Sequence, residues 1–168
     1  LTPKSEDEQV TRSVLWNNDI DFVIQVADYK NLRRTLSLTV EIIEMKFPVL
    51  LNLNMEDEAL ERGIRIDLKK LSGLLGGVNV VATTAVIRKG FSELKAAMKN
   101  FVRSEMRINY PSGVVDFCAK LEALMPQDFK FKRPAALMLI SGDSSVLASF
   151  SEPCREKIKN LIDGCDPQ

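Results

Sequence analysis

The sequence predicts an α/β protein with a mostly parallel sheet, and three observations carry that prediction. Three short runs rich in branched apolar residues, 22–27, 47–53 and 78–83, have the length and composition of buried strands. Long helix-period segments separate them, so each passage between strands is a crossover, right-handed and joining parallel neighbours. Beyond Arg107 no strand run remains and only helical pattern continues, which predicts a small all-α part after the α/β body.

The elements follow in order. Glu6 to Asn17 places Val10, Val14 and Leu15 at helical spacing ahead of Trp16, with Ser5 as N-cap and Glu8 as its capping-box partner. Asn17-Asn18-Asp19 ends it, and Phe22 to Ala27 is the first strand. Asp28 to Asn31 turns the chain into a helix whose apolar stripe is Leu32, Leu36, Val40 and Ile43, widened by Leu38 and Ile42. Phe47 to Leu53 is the second strand, with Pro48 tolerated near its start. Glu58 to Arg62 makes a helical turn closed by Gly63, and Ile64 to Ile66 is extended. Asp67 caps a helix facing the core through Leu68, Leu71, Leu74 and Leu75 and stopped by Gly76-Gly77. Val78 to Thr83 is the third strand, and Gly90 to Arg103 a helix packing through Phe91, Leu94, Ala97, Met98 and Phe101. The helical part reads as a helix begun by Tyr110-Pro111-Ser112 and running through Val114, Val115, Cys118, Leu121 and Leu124, then Pro134 to Ile140, Gly142 to Phe150, and a last helix capped by Ser151 and ended by Gly164. Trp16, Phe22, Phe91 and Phe101 read as packing anchors.

Composition narrows the function. With 168 residues the chain forms one ordinary domain or a compact domain with an appendage. Its 23 basic and 23 acidic side chains cancel, which gives no support for a nucleic-acid partner. The absence of histidine removes the commonest general base and nitrogen metal ligand. No apolar run is long enough to span a bilayer, and the polar, acidic N-terminus does not resemble a signal peptide. Cys118, Cys154 and Cys165 form no ligand-spaced pair, and they read as reduced thiols of a cytosolic domain.

The candidate site lies where strands end. Phe47 to Asp57 is an apolar run finishing in Asn-x-x-Asp, which puts Asn54 and Asp57 at the carboxyl end of a strand, where open α/β sheets bind ligands. A guanine base offers two adjacent donors that one ionised carboxylate accepts together, whereas adenine presents a different edge. The plainer reading makes Asn54 a strand end and Asp57 an N-terminal acid of the next turn. The next strand runs into a loop of small residues, Thr83, Thr84 and Ala85, on the same sheet edge. Small side chains let a backbone N–H approach a ligand, and one such group suits the guanine carbonyl oxygen; the plainer reading is an ordinary strand-to-helix loop. Three consecutive acids, Glu56, Asp57 and Glu58, do not converge on one ion, so no metal ligands are assigned. Asn31-Leu32-Arg33-Arg34, at a helix start, suits phosphate or, more simply, surface packing. With no histidine, nucleophile elbow or cysteine beside a base, no catalytic residue is assigned.

These residues resemble the ferrous iron transport protein B family. The matching stretches are Asp21 to Asp28, Asn31 to Leu36, Leu53-Asn54-Met55-Glu56-Asp57-Glu58-Ala59, Arg62 to Asp67, Leu74 to Gly76 and Gly90 to Leu94, with looser similarity at Ile108 to Pro111 and Leu139 to Asp143. The resemblance implies a Ras-like P-loop GTPase fold, a three-layer sandwich, followed by a small all-α subdomain. It divides the chain into residues 1–105, the C-terminal part of a guanine nucleotide-binding domain, and 106–168, a helical subdomain. It implies GTP or GDP, with Mg²⁺ in the intact domain, and a membrane-embedded permease domain of the same polypeptide as partner, at the cytoplasmic face of the cell membrane. Asn54 and Asp57 match the family's guanine-specificity motif, and Thr83, Thr84 and Ala85 its last base loop. Met55 stands where many small GTPases carry a lysine against the base; its thioether covers a ring face without charge, an arrangement suited to fast exchange.

No Gly-x-x-x-x-Gly-Lys-Ser/Thr occurs in these residues, and in the family a segment like Leu1 to Ser5 follows the Asp-x-x-Gly motif. The expectation is therefore a chain that keeps base recognition and lacks phosphate chemistry, with further strands upstream. The alternative is a degenerate GTPase-like interaction module that binds no nucleotide and docks through its helical tail.

Overall fold

A computed structural model of the chain describes residues 6–164, so the expected Ser5 cap and Cys165 lie outside the described residues. The chain divides into two compact units, Ile20–Ile108 and a second made of the residues up to Asp19 with those from Asn109 onward. Helix α1 (Glu6–Asn17) opens the second unit.

The first unit is the α/β body. Strands β1 (Val23–Asp28), β2 (Val49–Asn54) and β3 (Asn79–Ala82) form one sheet in the order β1-β2-β3, with both pairs parallel. Central β2 has Val49, Leu50, Leu51 and Leu53 fully buried, which is why it reads as an unbroken apolar run rather than an alternating one. The ladder starts after Phe47 and Pro48. Proline lacks the N–H a ladder needs, though the Pro48 carbonyl still accepts from Val23 N–H at 2.8 Å.

The crossover from β1 to β2 is α2 (Leu32–Glu44). The expected stripe is rotated: the buried residues are Thr35, Thr39, Ile42 and Ile43, while Leu36 and Val40 are only half-buried. The cause is Gln25, a buried amide on β1. Its Nε2 donates to the Thr35 carbonyl at 3.0 Å and its Oε1 accepts from the Thr39 hydroxyl at 2.7 Å. A buried amide without partners is costly, so α2 turns its threonines, and not its leucines, toward Gln25.

Helices α3 (Glu56–Glu61) and α4 (Leu68–Leu74) join β2 to β3. Asp67 caps α4 as expected, accepting from Lys70 N–H at 2.9 Å. Leu71 and Leu75 are buried, but Leu74 is 68% exposed, because at 3.6 residues per turn it sits about a quarter turn from the face they define. Helix α5 (Phe91–Lys99) follows β3 and is shorter than expected. It stops at Asn100, whose carbonyl accepts from the Asn79 side chain at 2.7 Å. Phe101 then stacks on Phe22, with centroids 4.4 Å apart, instead of packing within the helix. The chain continues past α4, with Glu105 N–H donating to the Gly76 carbonyl at 2.9 Å. Gly76 has φ +71, and a Cβ there would overlap the Met106 amide.

The second unit is all-α: α1, α6 (Ser112–Leu124), α7 (Lys132–Ile140), a 3₁₀ segment (Ser144–Ser149) and α8 (Glu152–Asp163). Its core is built from Cys118, Leu121, Met125, Ala135, Ala136, Leu139, Val146, Leu147, Phe150 and Ile158. Arg12 on α1 pairs with the buried Asp143 at 2.8 Å, and Asp143 accepts from Ser145 N–H at 3.0 Å. Trp16 stacks on Phe131 at 5.9 Å and meets Phe129 edge-on at 5.6 Å. Those contacts group residues 6–19 with the helical residues, whereas the expected boundary after residue 105 puts them with the α/β body. Ser151 stands at the N-terminus of α8 but makes no side-chain cap bond. Among the described residues no helix is long and apolar enough to cross a membrane.

Candidate functional site at the carboxyl ends of two strands

Parallel pairing of β2 with β3 brings their carboxyl ends side by side. Asn52 and Asn54 are two residues apart on β2 and share a face, and both amides reach Thr83, just past β3. Thr83 Oγ1 lies 2.9 Å from Asn52 Oδ1 and 3.1 Å from Asn54 Oδ1. Asn54 Oδ1 also accepts from Ala85 N–H at 3.1 Å. The Thr83 hydroxyl donates to the Asn52 oxygen, with the Asn54 oxygen as the longer, shared acceptor. Because Thr83 and Ala85 both engage the Asn54 oxygen, its NH₂ is turned away from them, outward. Backbone bonds brace the same corner: Thr83 N–H donates to the Leu53 carbonyl at 2.8 Å and Glu56 N–H to the Thr83 carbonyl at 3.2 Å.

Met55 makes the turn out of β2. Its φ of 64° and ψ of 39° are left-handed, a conformation costing roughly 1–2 kcal/mol for a residue with a Cβ. This sharp exit lets α3 begin at Glu56, two residues before the expected start, and puts Glu56, Asp57 and Glu58 in its first turn, where the helix dipole favours acids. Two of the three are ion-paired. Glu56 pairs with Lys89 at 2.8 Å, and Glu58 pairs with Lys30. Asp57 is exposed, and among the described residues nothing bonds or pairs with its carboxylate. The hydrogen bond and charge of Glu56, with a smaller contribution from the charge of Asp57, hold the Lys89 ammonium above its ordinary pKa of 10.5.

The loop after β3 closes on itself through Thr84 and Lys89, which exchange N–H to carbonyl bonds at 3.1 and 3.2 Å. Thr84 is 2% exposed, and among the described residues its hydroxyl has no hydrogen-bond partner.

The structure thus joins Asn54, Thr83 and Ala85 directly, places Met55 and Asp57 on the adjoining turn, and buries Thr84 beside them. The small-residue loop does present a backbone N–H, but Ala85 gives it to Asn54 rather than leaving it open. Arg33 and Arg34 are exposed at the start of α2, on an open depression of about 440 Å³ that they share with Lys30, Asn31, Leu32 and Ser37. Sequence reasoning missed Asn52, Lys30 and Lys89. A polar residue two positions before Asn54 in an apolar strand was a readable signal for Asn52. Neither lysine had one, since only the topology carries them to α3. Chemically, the corner offers a carboxylate with both oxygens unengaged, an outward amide and a thioether surface, a set that suits a flat ligand edge with adjacent donors.

A parallel sheet with crossover helices and an Asn-x-x-Asp loop beside a small-residue loop is the architecture of Ras-like P-loop GTPases. Within that class the chain belongs to the ferrous iron transport protein B family, whose model matches residues 1–98. The Fe(2+) transporter FeoB of Escherichia coli strain K12 is 32% identical over 143 residues, which is 83% of this chain and 18% of that protein. The cytosolic domain of the T. maritima FeoB iron transporter in a GDP form superposes with a TM-score of 0.77 at 30% identity, over 98% of this chain and 75% of that one. An S. thermophilus NFeoB mutant bound to GMPPNP superposes with a TM-score of 0.77 at 31% identity, over 96% of this chain and 66% of that one. The chain thus spans about a fifth of the length of the curated E. coli relative.

Proposed function

We propose that this chain is the base-recognising part of a guanine nucleotide-binding region that regulates ferrous iron transport. The observation that carries the proposal is Asp57, the one carboxylate of Glu56-Asp57-Glu58 left without a partner, beside the Asn54–Thr83–Ala85 corner. In this reading the two Asp57 oxygens accept from N1–H and the N2 amino group of guanine. The outward NH₂ of Asn54 donates to the acceptors on the other side of the base, where guanine carries N7 and O6. Met55 covers a ring face, and Thr83, Thr84 and Ala85 wall the pocket. Adenine would turn a ring-nitrogen lone pair toward Asp57, so the site disfavours it by setting that lone pair against a carboxylate with no donor between them. A bound nucleotide would supply the γ-phosphate that distinguishes two states. These residues hold the base and fix its orientation, and no phosphate-binding, Mg²⁺-ligating or hydrolytic step is assigned to them.

Two solved relatives support the reading, one a FeoB cytosolic domain in a GDP form and one an NFeoB mutant bound to GMPPNP. Membership of the ferrous iron transport protein B family supports a further part of the reading, coupling to an iron-conducting membrane domain of the same polypeptide on the cytoplasmic face of the cell membrane.

Calorimetric titration of the full chain with GDP and with ADP tests it. The expected outcome is binding of GDP and none of ADP, with Asp57→Asn moving the preference to xanthosine diphosphate, whose edge matches the exchanged amide. Equal binding of both nucleotides, or an unchanged preference in Asp57→Asn, removes the site assignment. Binding of neither leaves the interaction-module reading.

A further inference from the structure

We propose that Lys30 and Lys89 are positioning residues that hold the base-recognition turn from its two flanks and leave Asp57 as its single free carboxylate. The inference rests on the guanine reading above and adds to it two residues outside the Asn-x-x-Asp motif.

Three consecutive acids at one helix start repel each other, and all three are competent acceptors. Recognition of a base edge needs one of them, aimed. The structure resolves this with cations from both neighbouring strand ends. Lys30 follows β1, whose last residue Asp28 pairs in register with Asn54, and its ammonium pairs with Glu58 and lies 3.8 Å from Asp28 Oδ1. Lys89 follows β3, is drawn back by its bridge to Thr84, and pairs with Glu56 at 2.8 Å. Glu56 and Glu58 flank Asp57 in sequence, so α3 is tied on one side to the β1 loop and on the other to the β3 loop. In each pair one side chain is sheltered and its partner is open to solvent: Lys30 is 13% exposed against 48% for Glu58, and Glu56 19% against 56% for Lys89. Half-open pairs of this kind contribute little to stability, and their part here is to fix position.

Lys30 has a third contact. Its Nζ stands 3.8 Å from the Met55 sulfur.

The experiment is calorimetric titration of the full chain with GDP and ADP, comparing wild type with Lys30→Met, Lys89→Met, Lys30→Arg, Lys89→Arg and the charge-swapped pair Lys30→Glu with Glu58→Lys. Each methionine variant should weaken GDP binding roughly threefold to fivefold, the upper end for a half-exposed ion pair. It should also lower the GDP-to-ADP preference, because a released Glu56 or Glu58 competes with Asp57. The arginine variants should stay within about twofold of wild type, and the swapped pair should recover most of the loss. A loss that came only from weakened folding would not alter the preference between two nucleotides, nor be restored by the swap. Methionine variants with wild-type affinity and preference overturn the clamp and leave the guanine reading standing. Wild type without a preference for GDP overturns the guanine reading and the clamp with it. Should a methionine variant fail to fold, the swapped pair decides, and failure of a folded swap to recover affinity overturns the clamp.

Discussion

At the scale of single residues, the site depends on close approach as much as on donors and acceptors. Gly90 opens α5 with φ +81, and a Cβ there would overlap the Ala82 carbonyl oxygen and press on Thr83 Cγ2 at 3.1 Å. Gly90→Ala is therefore expected to destabilise the α/β unit by about 1–3 kcal/mol through backbone strain and to disturb Thr83. Thermal unfolding would show the first effect and GDP affinity the second; an unchanged melting temperature would mean that α5 shifts at no cost. Asn54 and Asp57 were readable because a strand end and the turn leaving it are local features of the chain. The same holds for Thr83 to Ala85. The ion pairs that sort Glu56, Asp57 and Glu58 were not readable: Lys30 and Lys89 meet α3 only through the order of three strands, and no spacing in one sequence encodes that meeting. Nor was the left-handed turn at Met55, since nothing in methionine's chemistry asks for a positive φ.

Among the elements, α2 shows how one buried polar group overrides an apolar stripe. Spacing favoured Leu32, Leu36, Val40 and Ile43, and the amide of Gln25 turned Thr35 and Thr39 inward instead. Thr39→Val would leave the buried Gln25 Oε1 without its donor, with an expected loss of about 1–3 kcal/mol. Pairing it with Gln25→Leu should recover much of that loss, because an apolar pair of similar shape leaves nothing unsatisfied. Urea unfolding of the two single variants and the double checks this; additive losses would show that the two residues are not coupled. The strands and helices were legible as existing elements because their periods are strong. Their ends were not. Helix α5 stops early because Asn79 takes the Asn100 carbonyl, and β2 begins late because Pro48 has no N–H to give.

For the whole molecule, balanced charge and the α/β-then-helical order were both visible in composition and pattern. The grouping of the first helix was not, because it rests on Arg12 meeting Asp143 and Trp16 meeting Phe129 and Phe131, residues more than a hundred positions away. The helical unit has its own core, so Leu121→Ala should cost it about 2–5 kcal/mol, as for other fully buried leucines. Hydrogen exchange resolved by residue would register the loss in α6, α7 and α8, and a loss confined to β1, β2 and β3 would contradict a separate core. One consequence of Gln25 reaches further than stability. Its amide uses the Thr35 carbonyl and the Thr39 hydroxyl, and sliding the helix by one turn, about 5.4 Å, so that Ile43 took the place of Thr39 would leave the Gln25 oxygen without its donor. The crossover helix is thereby keyed to the sheet like a shaft to a hub. Because Lys30 sits just ahead of that helix, the same key sets where its ammonium meets Glu58 on α3.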